Sequence, residues 1–291
     1  MIEYLYLGRV DYGESLRIQR ELVELRRQEC IGNTLLLLEH PPVLTLGRNA
    51  SRANILASDR LLASRGVTLH EIDRGGDVTY HGPGQLIGYP IFDLRSLRNA
   101  SGGRLGPVDF VRTMEEALIR LCGVYGVPAA RICGLTGVWC LAGGSLLDEC
   151  SGRMTAPPPG ATKVAAIGIH VSRGITSHGF AFNLVTDLSG FALINPCGIA
   201  NCPVTTLQRE MAAQAARTGA APPALPSLEA FAHRAARLFG QVFSEQVLAV
   251  ESLDALRARV SAPQFPAEDT PLQIPPEVEC LHGAREHPVR A

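Results

Sequence analysis

No apolar stretch of this 291-residue chain outlasts a single buried strand. The longest, Thr34-Leu-Leu-Leu-Leu38, is stopped by His40-Pro-Pro42, whereas spanning a bilayer takes about 18 apolar residues in a row. Segments this short must bury themselves against one another, and the chain is long enough to build one sizeable core. Residues 1–10 and 67–73 read as further strands, and residues 13–29 as an amphipathic helix with Ile18, Leu22 and Leu25 on one face. Residues 85–94 read as a strand that Pro90 confines to an edge or to a bulge. A polar, Gly-rich loop over residues 98–106 leads through Pro107 into a helix over residues 108–125. Residues 163–171 and 180–185 read as strands, and residues 228–247 as a helix. Strands and helices mix without strict βαβ alternation, which gives an α+β class. Residues 143–162, ending in Pro157-Pro-Pro-Gly160, interrupt this pattern and read as a flexible insertion in a loop. One catalytic domain is expected over residues 1–260, followed by a Pro-rich, loosely ordered tail over residues 261–291.

Charge and cysteine usage narrow the function classes. The formal net charge is −1, from 27 basic and 28 acidic residues, so no electrostatic footprint for nucleic acid or for an anionic membrane surface is present. The N-terminal residues lack the pattern of a secretory signal, and the cytoplasm is the expected compartment. Eight cysteines stand at 30, 122, 133, 140, 150, 197, 202 and 280, with no C-x-x-C pair and no Cys/His zinc spacing. Neither a disulfide framework nor a metal site is expected, and most of these thiols should be small buried hydrophobes.

The basic residues carry a sharper signal. Of the 27, one alone is lysine, Lys163. Compositional drift accounts for a lone survivor. So does a requirement at that position for a cation that can lose its proton, which arginine cannot do.

Three stretches have the composition of a working site. The first is Arg74-Gly-Gly-Asp-Val-Thr-Tyr-His-Gly-Pro-Gly-Gln-Leu86. Its four glycines and proline should form no regular element but a shaped loop whose backbone approaches a ligand, or else a pair of ordinary turns. The second is Lys163-Val-Ala-Ala-Ile-Gly-Ile-His-Val171, continuing to Asn183 through His178. A lysine opening an apolar strand is partly desolvated, which lowers an amine's pKa. The run Ala165-Ala-Ile-Gly168 leaves room against the backbone, and His178 alone reads as a hydrogen-bonded structural histidine. The third is Asn195-Pro-Cys-Gly198, a turn framed by Pro and Gly with Cys197 at its apex. A nucleophilic thiol needs a base or cation beside it, and Cys202 is the rival without that frame.

Together these three segments resemble the signatures of the lipoyl (octanoyl) transferases, and the resemblance runs from the first strand to about Leu207. It implies a mixed β-sheet flanked by helices, like the biotin and lipoate protein ligase catalytic fold. Cys197 is then the acyl-thioester nucleophile, and Lys163 the residue that lowers its pKa and shuttles its proton. Arg74, Gly75, Gly76, Asp77, Val78, Thr79, Tyr80 and His81 would line the acyl pocket, with Ala166, Ile167 and Gly168, and with Gly179, Phe180 and Ala181. The implied reaction moves an octanoyl group from octanoyl-acyl carrier protein to a lysine of a lipoyl domain. Acceptors of that kind are the lipoyl domains of 2-oxoacid dehydrogenase complexes and the glycine cleavage H protein. No cofactor and no metal is implied, because the incoming thioester supplies the free energy.

The chain departs from the family pattern at several points. The 143–162 insertion separates Gly137-Val-Trp139 from Lys163; Gly174 and Ser177 stand where aromatic residues are usual, and His170 where arginine is. Two rival readings are an ATP-dependent lipoate or biotin ligase, which needs no nucleophilic cysteine, and a non-catalytic protein that binds acylated carrier protein.

Overall fold

Alternation along the leucine run explains the layering of the molecule. Leu35 and Leu37 join one hydrophobic core, while Leu36 and Leu38 join another on the opposite face. A strand buried on both faces must lie inside a sheet that is covered on both sides.

The structure is a computed structural model that describes residues 1–99, 102–141, 154–196, 202–219 and 221–261. In chain order its elements are β1 (Ile2–Arg9), α1 (Tyr12–Arg27), β2 (Asn33–Glu39), β3 (Val43–Leu46), α2 (Asp59–Ser64), β4 (Thr68–Glu71), β5 (Val78–His81) and β6 (Gln85–Ile91). There follow α3 (Pro107–Val124), β7 (Ala129–Ile132), β8 (Leu135–Leu141), β9 (Ala161–Ser172), β10 (Ile175–Asn183), α4 (Leu207–Thr218), α5 (Leu228–Phe243), β11 (Val247–Ala249) and α6 (Leu253–Ser261). Eight strands form the main sheet in the order β11-β1-β2-β6-β10-β9-β8-β7, with β1 parallel to both its neighbours and the other pairs antiparallel. A second sheet, β4-β3-β5, stands beside it.

Helices α3 and α5 cover one face of the main sheet through Phe110, Met114, Leu118, Phe231 and Phe239. Helix α1 covers the other face with Ile18 and Leu22, joined there by Leu256 of α6. The small sheet has its own core around Leu44, Val78, Tyr80 and Phe191. The expected α+β class and mixed, helix-flanked sheet are both present.

Several expectations are corrected in detail. Pro90 is not at an edge: β6 lies between β2 and β10, and Pro90 faces Leu35. Nor is it at a bulge, because β6 keeps one continuous register with each of its neighbours. The β6–β10 ladder stops at Gly88 and Phe180, and the Pro90 carbonyl accepts the Thr176 hydroxyl at 2.6 Å. Its nitrogen therefore points to the side where the ladder is already broken, so the missing donor costs little. The Gly-rich stretch does contain regular structure, because residues 78–81 are β5 and Gln85 opens β6.

The helix expected to Val247 ends at Phe243, where Ser244 turns left-handed (φ 55°) and sends the chain back as β11. The insertion expected over residues 143–162 is shorter at its end, since Ala161 and Thr162 belong to β9 and pair with Leu141 and Cys140. Residues 142–153 and residues 262–291 of the tail lie outside the described residues. Among the described residues, no helix is long and apolar enough to cross a membrane.

Candidate active site

A cavity of about 450 Å³ opens between the main and small sheets. Its floor is β9 and β10, which pair in register at Ala166–Ala181, Ile167–Phe180 and Gly168–Gly179. Its roof is the stretch at 74–79 that leads into and along β5. Thirteen of the fourteen positions expected to bind acyl substrate line it: residues 74–79, 81, 166–168 and 179–181. The fourteenth, Tyr80, does not, because side chains alternate along β5. Thr79 and His81 face the cavity while Val78 and Tyr80 enter the small-sheet core, where the Tyr80 ring meets Phe191 edge-on at 5.4 Å. Val78 lines the cavity as well as that core.

The roof is fastened by backbone contacts that require glycine. Gly75 donates to the Ile169 carbonyl at 2.9 Å, and a Cβ on Gly168 would stand 2.7 Å from the Gly75 oxygen. A Cβ on Gly47, just after β3, would stand 2.4 Å from the Gly76 oxygen. Such separations are below any real carbon–oxygen contact, so the roof settles onto β9 only because these positions lack side chains. The buried Arg74 guanidinium donates to the Thr45 carbonyl at 2.7 Å and to its hydroxyl at 2.9 Å. It therefore ties the roof to β3.

Lys163 lies at one end of the cavity, 5% exposed. Its Nζ stands 4.7 Å from the centroid of the Trp139 ring, which is a cation–π distance. Trp139 is its cross-strand partner on β8, and the ladder bulges at that step. Gly137 makes the space. Its φ of +125° suits glycine, and a Cβ there would lie 2.5 Å from the Ala165 oxygen and 3.2 Å from Lys163 Cε. The Gly137 amide donates to buried Glu115 at 2.9 Å. On its other side Lys163 is laced to the incoming chain: its N–H donates to the Pro203 carbonyl at 2.8 Å, and its carbonyl accepts from Thr205 at 3.0 Å. Lys163 also lines a small pocket with Pro196, the residue before Cys197. Cys197 itself lies outside the described residues. Cys202 is buried against Trp139, Leu135 and Ile132.

The opposite end is rich in aromatic nitrogen and phenol. His178 is buried with a left-handed φ of 55°; its Nε2 lies 2.8 Å from Asp73 Oδ1, and its backbone N–H donates to Gln19 Oε1. The expectation of a hydrogen-bonded histidine is met there. Burial pushes its pKa down against the opposing pull of Asp73. Burial, reinforced by neighbouring His40, pushes His81 down to about 3, and His40 is pushed down by burial to about 4. Both rings are neutral hydrogen-bonding groups at physiological pH.

Six cavity residues carry no sequence signal: Tyr12, Asn49, Tyr89, Gly134 of the β7–β8 turn, and Leu135 and Thr136 at the start of β8. Each owes its place to strand pairing or helix docking, which no local spacing reports. Among the described residues, no group of three or more His, Cys, Asp or Glu is placed to hold a metal ion.

Comparison with known proteins agrees with this architecture. The lipoyl protein ligase A/B catalytic domain family matches residues 11–221. An octanoyltransferase of Acidobacterium capsulatum is 54% identical over 87% of this chain and 94% of its own length. One of Koribacter versatilis is 48% identical over 97% of each. Among solved structures, the bipartite lipoate protein ligase of Thermoplasma acidophilum has a TM-score of 0.60 at 14% identity, over 90% of this chain and 91% of that one. A lipoate-protein ligase A bound with ATP gives a TM-score of 0.60 at 14% identity, over 90% and 93%. Identity that low shows the shared fold alone. On the family match and on its close relatives, the chain belongs to the octanoyltransferases of the lipoyl protein ligase A/B catalytic family, and so to the acyltransferases.

Proposed function

We propose that this enzyme takes an octanoyl group from octanoyl-acyl carrier protein and passes it to a lysine of a lipoyl domain through a thioester on Cys197. One observation carries the reading. The only lysine of the chain is buried at the end of the acyl-sized cavity, in a pocket it shares with the residue that precedes Cys197.

In this mechanism Lys163 favours the Cys197 thiolate, by charge proximity or by taking its proton. The thiolate sulfur attacks the carbonyl carbon of the donor thioester. The carrier's sulfur leaves with the electron pair of the broken C–S bond and receives a proton from Lys163. The free amine of the lipoyl-domain lysine then attacks the Cys197 thioester, an amide forms, and the Cys197 thiol is restored. The residues at 74–79, 166–168 and 179–181 hold the acyl chain, each buried methylene contributing about 0.8 kcal/mol. The thioester supplies the driving force, so the cycle uses no nucleotide. The acceptors are lipoyl domains of 2-oxoacid dehydrogenase complexes and the glycine cleavage H protein, in the cytoplasm, and residues 1–260 act as one catalytic domain.

Intact mass after incubation with octanoyl-acyl carrier protein tests the proposal. An octanoyl adduct is expected on the wild type and on Cys202→Ser, and none on Cys197→Ser. No adduct on any form overturns the thioester step, and tight ATP binding by titration would then favour a ligase.

A further inference from the structure

Between the roof of the cavity and Lys163 runs a chain of buried side chains whose hydrogen bonds all point the same way. Its direction follows from two backbone carbonyls, which can only accept. Gln85 faces the Tyr80 carbonyl at 3.3 Å and Asn183 faces the Thr205 carbonyl at 3.0 Å, so each presents its amide nitrogen there. With those orientations set, Gln85 Nε2 donates to Asn183 Oδ1 at 2.8 Å. Gln85 Oε1 then has only lone pairs to offer His81, 2.8 Å away, and the His81 proton must sit on Nδ1. His81 Nε2 is left as an acceptor for the Thr45 hydroxyl at 3.5 Å, the longest link. Thr45 Oγ1 in turn accepts from Arg74 at 2.9 Å.

The sequence of donors is therefore Arg74, Thr45, His81, Gln85, Asn183, ending on the Thr205 carbonyl. The peptide of Thr205 donates to the Lys163 carbonyl, and Lys163 donates back to Pro203. Thr45, Gln85 and Asn183 are no more than 4% exposed. Bonds aligned in this way polarise one another, and breaking one weakens its neighbours. Gln85 and Asn183 also line the small pocket with Lys163 and Pro196.

We propose that Gln85 and Asn183 are positioning residues: they clamp the 203–205 segment against β9 and thereby hold Lys163 in place beside Pro196, the residue before Cys197, while linking it to the acyl-binding roof at Arg74. Neither touches the reacting atoms. The inference rests on the proposed Cys197–Lys163 chemistry.

Its test uses isosteric variants that remove donor hydrogens and, when ionised, add one negative charge. The exchange readout at the Thr205 amide is what separates the clamp from a charge effect. Asn183→Asp cannot donate to Thr205 when ionised, and Gln85→Glu cannot donate to Asn183. In each, at pH 8, hydrogen exchange at the Lys163 and Thr205 amides should quicken at least tenfold. Acyl-enzyme formation should slow at least tenfold with KM for the octanoyl thioester within twofold. The pH profile of Cys197 alkylation, followed by peptide mass, should move upward by about one unit. Protonation of the introduced carboxylate in Asn183→Asp restores a donor, so its rate relative to wild type should recover as pH falls, with no recovery in Asn183→Leu.

Wild-type exchange at Thr205 together with wild-type acylation in both isosteric variants would overturn the clamp. Equal loss at every pH with a collapsed melting transition, in these variants and in Asn183→Leu alike, would overturn it in favour of a purely structural role. A wild type that forms no adduct at Cys197 fails the parent reading instead, and the exchange experiment still decides whether the clamp exists.

Discussion

The two ends of the cavity bury titratable nitrogen in contrasting ways. At one end Lys163 has a ring face at 4.7 Å, backbone ladders on both sides of its own peptide, and space supplied by a glycine. At the other end His81 of the lining, and His40 packed behind it, are stripped of positive charge by burial, and His178 leans on Asp73 from a strained backbone. The Lys163 end is built around the group proposed to exchange a proton. The histidine end is built from groups held neutral so that their hydrogen-bond roles stay fixed. Burial alone therefore does not set the part a buried nitrogen can play; what surrounds it does.

The largest effect should come from exchanging the lysine for a cation that keeps its charge. Lys163→Arg retains the positive group but not the removable proton, and acyl transfer should fall about 10³-fold in a single-turnover assay. Retained activity would erase the distinction between the two ends. Gly137→Ala tests the space around Lys163 without touching it. The φ of +125° and the 2.5 Å approach to the Ala165 carbonyl predict a loss of about 2–3 kcal/mol in denaturation and roughly 10²-fold in transfer.

The histidine end should answer to pH. His40 and His81 titrate near 4 and 3 when folded and near 6.5 when unfolded, so the unfolded chain takes up protons first. Their contribution is complete above pH 6.5 and is lost as pH falls toward 4. Denaturation at pH 7.5 and 4.5 should differ by about 5 kcal/mol from this source, roughly half from each ring, with a shallower slope in His40→Gln. The smallest change is expected from Asp73→Asn. Its side chain is 60% exposed, and the amide keeps a partner for His178, so transfer should fall less than about threefold in steady-state kinetics. A large loss there would give the histidine end a chemical role.

The site is legible where it is local in sequence. Lys163 stands out by being alone, and the roof by its glycines. The fold is legible where burial is one-sided or continuous, as in α1 and the leucine run of β2. It is hidden where pairing partners supply the burial. β5 reads as loop because glycines flank it and its alternate residues serve two different cores. Helix α4 leaves little trace because only Leu207 and Met211 are buried, although Thr206 caps its start and Gly219, at φ 70°, closes its end. The clamp through Gln85 and Asn183 joins residues 98 positions apart, and no spacing rule reaches that far.

The buried, solitary Lys163 has one more consequence. An enzyme proposed to make acyl-lysine must carry an activated acyl group past its own surface. That surface bears no ε-amine, because 26 of its 27 basic residues are arginines and the remaining one is inside. Arginine keeps the charge and solubility of a basic residue, yet its guanidinium is far too weak a nucleophile to capture the acyl group. Such a surface offers the acyl group no competing ε-amine, so any lysine outside the catalytic pocket is one that a partner brings.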